Sequence, residues 1–125
     1  NQQRPFKILA VTILTSFSQN TLPPNSNKQD IATQVVDLAS IAIQSGLTGI
    51  VCSPHEAEIL RARHNNAFLV TPGIRLDGNA GDQKRIMGPA DAMKAGASAL
   101  VIGRPIVEAK DPRAVAEQCM KLVGL

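Results

Sequence analysis

The chain of 125 residues has no tryptophan, no tyrosine and only three phenylalanines. A nucleic-acid platform that stacks bases on aromatic rings is therefore not expected. Histidine is almost as scarce. His55 and His64 have no carboxylate or thiol pattern around them, so zinc-ligand spacing is missing. Cysteine occurs twice, at Cys52 and Cys119, without a CxxC pair. Two distant thiols fit reduced core or near-core positions in a cytoplasmic protein. No apolar run reaches the roughly 20 residues needed to cross a membrane. The opening "NQQRPFK" has no signal-peptide pattern. It also lacks an initiator methionine, as expected of a processed chain or a piece of a longer one.

Charge of one sign is lacking too. The net charge is +3, with basic residues scattered rather than run together. This reads as a mild preference for anionic small molecules, not a DNA-binding face. Most of these charges are expected to be solvated surface.

What remains is the composition of one soluble domain, 44% hydrophobic and 18% charged. Its apolar segments alternate in kind. "FKILAVTIL" (Phe6–Leu14) is nearly continuously apolar, the pattern of a strand buried on both faces. After the polar loop "TSFSQNTLPPNSNK", the stretch "QDIATQVVDLASIAIQSG" predicts a helix. Its core face is Ile31, Val35, Val36, Leu38, Ile41 and Ile43, and Gly46 is its stop. "LTGIVCS" predicts a second strand, "PHEAEILRARH" a helix with Pro54 near its start, and "AFLVTPGI" a third strand. Arg61 is expected to face outward from that second helix. "GPADAMKAG" predicts a short helix closed by Gly96, and "ASALVIGRPI" a fourth strand. "DPRAVAEQCMKLVG" predicts a last helix capped by Asp111. Such alternation means an α/β protein with a parallel sheet and helical crossovers. It fits a small open sheet or half of an eight-fold barrel.

Polar and glycine-bearing residues gather after the strands, where both architectures place their sites. The third and fourth strands end in "PGIR" and "GRP". Gly73 and Gly103 can let backbone N–H groups approach an anion. Arg75 and Arg104 each offer a planar fork for phosphate oxygens. Between Arg75 and Gly88 runs a loop of about a dozen residues, a length that is usually functional or disordered. Asp77, Gly78, Asn79, Gly81 and Asp82 give it turn chemistry. Gln83 can hydrogen-bond a ligand, and the loop is expected to act as a lid that excludes water.

These residues resemble a known family. "AVTILTS", "GIVCSPHEA", "LVTPGIR", "GDQKRIMGPADAMKAGAS" and "VIGRPI…DP" are similar, in order and spacing, to the C-terminal half of bacterial orotidine 5′-phosphate decarboxylases. The resemblance covers nearly the whole chain, from about Ile8 to the last helix. It implies a TIM (β/α)8 barrel, of which residues 1–125 supply the second half, strands 5 to 8. It implies a cytoplasmic, usually dimeric enzyme of pyrimidine biosynthesis with no metal or organic cofactor. The ligands implied are orotidine and uridine monophosphates, with neither nucleic acid nor membrane as partner. By the same resemblance Thr15 contacts the pyrimidine with Ser16 beside it, and Pro72 packs on the base. Arg75 holds the phosphate, Gln83 touches phosphate and base, and Gly103 and Arg104 complete the phosphate grip. Residues of about 75–87 would form the phosphate-gripping loop.

One departure stands out. The family's chemistry rests on a lysine and aspartate network with a motif like "DLKFHDIPNT". Nothing like it occurs here, and none of Lys7, Lys28, Lys84, Lys94, Lys110 and Lys121 sits in a strand beside an aspartate. No catalytic residue is assigned, and the chain alone is expected to be inactive. It is expected to dimerise or to associate with the missing half. The alternatives are a non-catalytic half-barrel and another phosphosugar barrel, such as a hexulose-phosphate synthase or ribulose-phosphate epimerase. The "GDQ" loop and "VTPGIR" speak against the latter.

Overall fold

The computed structural model describes residues 6–22, 29–76 and 85–125. A four-stranded parallel sheet has the order β1 (Leu9–Val11), β2 (Gly49–Val51), β3 (Phe68–Thr71), β4 (Ala99–Leu100). Sequential order in an all-parallel sheet means that every connection is a crossover in one sense. The helices supply those crossovers: α1 (Ile31–Gln44), α2 (Pro54–Arg63) and α3 (Pro89–Lys94). Two more follow β4, α4 (Arg104–Val107) and α5 (Pro112–Leu122). A single 3-10 turn, Gln19–Thr21, lies in the stretch read as loop. Among the described residues no helix is long and apolar enough to cross a membrane.

The helix boundaries follow local chemistry. The Asp30 carboxylate accepts the Thr33 N–H at 2.9 Å and caps α1. Bonds from the Thr33 hydroxyl and backbone hold its pKa below the ordinary value. Gly46, at φ +88°, lets the chain turn off the end of that helix. Pro54 opens α2, and Pro112 opens α5 behind the Asp111 cap, which accepts from the Ala114 N–H at 3.0 Å.

Register sets the core. Ala10 pairs with Ile50 and Ile50 with Leu69, so these three share one face of the sheet. Ile50 and Leu69 are fully buried there beside Val35, Val36, Ala39, Ala57 and Leu60 of α1 and α2. Among the described residues no helix covers the opposite face. Leu9 and Val11 point to it and remain exposed, Val11 at 60%. The reading of β1 as buried on both faces is therefore corrected. It is an edge strand, covered on its helix side alone.

Two further expectations change. Leu38 and Ile41 do not join the core, and Ile41 is 61% exposed. Ala39 and Ala42 take the buried positions instead. Their small side chains let α1 lie close on the sheet and turn the larger neighbours outward. The fourth strand is also shorter than "ASALVIGRPI". It ends at Leu100, and Arg104 begins α4, with Pro105 in its first turn. A proline cannot donate to a ladder but suits a first helical turn.

Candidate functional site

Thr15, Ser16, Pro72, Gly73, Arg75, Gly103 and Arg104 all follow the C-terminal ends of strands β1, β3 and β4. Thr15 and Gly73 are brought into contact. Thr15 is buried, and a Cβ on Gly73 would lie 3.2 Å from its Cγ2 and 2.9 Å from the Arg85 carbonyl. Gly73 also holds φ +80°, a left-handed conformation that favours glycine. Crowding and backbone angle thus select the same residue. Ser16 and Pro72 are half-buried beside this contact.

Beyond Gly73 the chain pairs with its own return. The Arg75 N–H donates to the Met87 carbonyl at 3.1 Å, and the Met87 N–H donates to the Gly73 carbonyl at 3.3 Å. Ile74 and Met87 form a parallel bridge. Residues 73–75 and 85–87 therefore make a closed stem beside β3. The Arg75 side chain is half-buried, and its NH1 donates to the Ile74 carbonyl at 2.9 Å. Gly103 and Arg104 are exposed at the next strand end, with open space where a Gly103 Cβ would stand. Gln83 and most of the expected lid lie outside the described residues. Among the described residues no cluster of His, Cys, Asp or Glu is arranged to hold a metal ion.

Three residues that sequence reasoning passed over form the interior of this region. Ser53 stands at the N-cap position of α2, and its hydroxyl, rather than capping the helix backbone, donates to Oε2 of Glu56. Glu56 is buried, and its Oε1 receives NH1 of Arg85 in an ion pair. NH2 of Arg85 donates to the carbonyls of Ile13 at 2.9 Å and Leu14 at 3.1 Å. The buried Nε of Arg85 finds no partner. The network joins the end of β1, the start of α2 and the stem. It also touches Cys52. Burial foremost, then the Glu56 charge, pushes that thiol up to about 12, against a weaker opposing pull from Arg85 and Arg61. Cys52 is an inert thiol at neutral pH. The Ser-x-x-Glu spacing at the head of a helix was the available signal.

Arg61 corrects another expectation. It does not face outward. Its Nε and NH2 donate to the Gly96 carbonyl at 3.1 and 2.8 Å, and NH1 donates to the Ala67 carbonyl at 2.9 Å. NH2 also reaches the Ser98 hydroxyl at 2.9 Å. α2 lies between α1, α3 and the sheet, so its last turn meets the turns that lead into β3 and β4.

A parallel β/α sheet with an open edge on each side and its loops gathered at one end is consistent with one half of a (β/α)8 barrel. Comparison with known proteins gives the particular family. The family model for orotidine 5′-phosphate decarboxylase / HUMPS matches residues 1–119, and the chain belongs to that family. A protein of Synechococcus sp. (strain WH7803) named orotidine 5′-phosphate decarboxylase is 53% identical over 121 residues, covering 94% of this chain and 50% of its own. One of Neisseria meningitidis serogroup B with the same name is 46% identical, covering 94% and 49%. The solved orotidine 5′-phosphate decarboxylase of Lactobacillus acidophilus superposes with a TM-score of 0.77 at 38% identity, over 95% of this chain and 50% of that one. The chain spans about half the length of the curated relatives it matches.

Proposed function

We propose that this chain is the phosphate- and base-binding half of an orotidine 5′-phosphate decarboxylase. That enzyme converts orotidine monophosphate to uridine monophosphate and CO2 in pyrimidine biosynthesis. The observation that carries the reading is 53% identity to a decarboxylase over nearly the whole chain. Arg75, Gly103 and Arg104 hold the phosphate, and Gln83 reaches phosphate and base from the loop of residues 75–87. Thr15, with Ser16 beside it, and Pro72 contact the base.

The chain supplies no catalytic group to this reaction. Loss of CO2 leaves negative charge on carbon 6 of the base. An ammonium group stabilises that charge and then donates the proton. The lysine and aspartate set for this step would come from the other half of the barrel, so the isolated chain is inactive. The other half also supplies the cover that the sheet lacks. Phe6 and Val11 at the β1 edge are 78% and 60% exposed, and Val107 beyond β4 is 71% exposed. A groove of about 390 Å³ beside β1 is lined by Val11, Leu14, Phe17 and Leu22 among others. Open edges invite pairing with a further strand. The assembled enzyme would act as a cytoplasmic homodimer. A second reading, a half-barrel that binds anions or pairs with a copy of itself, is favoured by the missing lysine and aspartate motif.

Calorimetric titration with uridine monophosphate tests the site. Arg104→Ala should weaken binding by about 1–3 kcal/mol, as for a hydrogen bond to a charged group. Unchanged affinity would sink the assignment.

A further inference from the structure

Glu56 and Arg85 touch none of the ligand contacts proposed above, yet they are the most deeply placed ion pair among the described residues. Their side chains are 6% and 11% exposed. A buried pair seldom stabilises a fold more than a well-packed apolar pair of the same shape. Its distinct contribution is fixed direction. Here the direction is fully specified on the Glu56 side. Ser53 occupies Oε2 and leaves Oε1 for Arg85. On the Arg85 side the planar fork spends its second nitrogen on two successive carbonyls, Ile13 and Leu14, at the end of β1. Thr15 is the next residue. The Arg85 backbone, in turn, packs against Gly73 and begins the return segment of the stem. One side chain therefore ties the base of the stem that carries Arg75 to the strand end that carries Thr15.

We infer that Ser53, Glu56 and Arg85 form a positioning brace. It holds the paired segments 73–75 and 85–87 against the end of β1, and so fixes the spacing between Thr15 and Arg75. The ligand such a spacing serves is one with an anionic group at one end and a planar polar ring at the other. That last step rests on the reading of the site as a nucleotide monophosphate site. The brace itself does not. Lysine at position 85 would keep the charge but lose the fork, and could not serve α2 and β1 together.

The test uses the full 125-residue chain and the variants Arg85→Ala, Arg85→Lys and Glu56→Gln. The last two keep bulk in place should the first fail to fold. The first readout is amide hydrogen exchange at Arg75 and Met87, whose N–H groups close the stem. Both should exchange roughly 30-fold faster in the variants. Ser98, whose N–H donates to the Leu69 carbonyl, should keep its protection. The second readout is the ratio of affinities for uridine monophosphate and uridine. The brace predicts a loss of about tenfold or more in that ratio, whereas simple destabilisation lowers both affinities together and leaves the ratio intact. Exchange that rises uniformly along the chain, or not at all, overturns the brace. A wild-type chain that does not prefer the monophosphate overturns the nucleotide reading, and the exchange result still decides the brace.

Discussion

The two ends of α2 are each tied down by an arginine, and they are tied for different purposes. At its C-terminal end Arg61 belongs to the helix and donates to carbonyls of the turns that enter β3 and β4. At its N-terminal end Glu56 belongs to the helix and receives Arg85, which arrives from the stem after β3. The first end lies where strands begin, the second where they finish. In β/α barrels the former face serves stability and the latter serves the ligand. The Arg61 clamp meets neutral acceptors, the carbonyls of Gly96 and Ala67 and the Ser98 hydroxyl. The Glu56 clamp meets a charge and aligns groups that line the proposed site. On the proposed reading the same helix separates folding from function along its length.

Four substitutions sharpen or break this contrast. Arg61→Ala should give the largest stability loss, about 2–4 kcal/mol in urea unfolding, because it strands several carbonyls at once. The folded fraction should bind uridine monophosphate normally. Impaired binding would erase the division between the two ends. Gly73→Ala should cost about 1–3 kcal/mol, since the added methyl meets strained backbone and the Arg85 carbonyl. Unlike Arg61→Ala, it should also weaken nucleotide binding in titration. Cys52 gives a pH signature of the protected interior. Its folded pKa of about 12 is raised above the ordinary thiol value of 9.0, so its contribution to stability is complete below pH 9.0 and is lost on going up toward 12. Over that window the slope due to this group is about 1.4 kcal/mol per pH unit. Cys52→Ala should flatten the alkaline limb of unfolding by one proton, and an unchanged slope would show the thiol to be solvated. The smallest effect belongs to the exposed pair of Arg113 and Glu117 on α5. Arg113→Ala should change stability by about 0.5 kcal/mol or less in the same urea experiment.

The alternation of strands and helices, the cap at Asp111, and the stops at Gly46 and Gly96 were all legible, because each depends on neighbours a few residues away. The strand-end positions of Thr15, Pro72, Arg75 and Gly103 were legible for the same reason. The clamps were not. Arg85 meets Glu56 across 29 residues and Ile13 across 72, and Arg61 meets Gly96 across 35. No periodicity spans such distances. Leu38 and Ile41 misled differently. Their spacing marks an apolar face, but spacing does not say which sheet, within this chain or beyond it, covers that face. The exposure of both matches the exposed edges at Val11 and Val107. In each case an apolar side chain stays exposed among the described residues.

The most direct test of the proposed division of labour is an orotidine monophosphate decarboxylation assay. It would be run on the chain alone and on the chain mixed with the first half of the Synechococcus sp. (strain WH7803) relative. The account predicts no turnover alone and turnover in the mixture. Turnover by the chain alone would contradict it, because CO2 would then be leaving without the lysine and aspartate set that this half lacks.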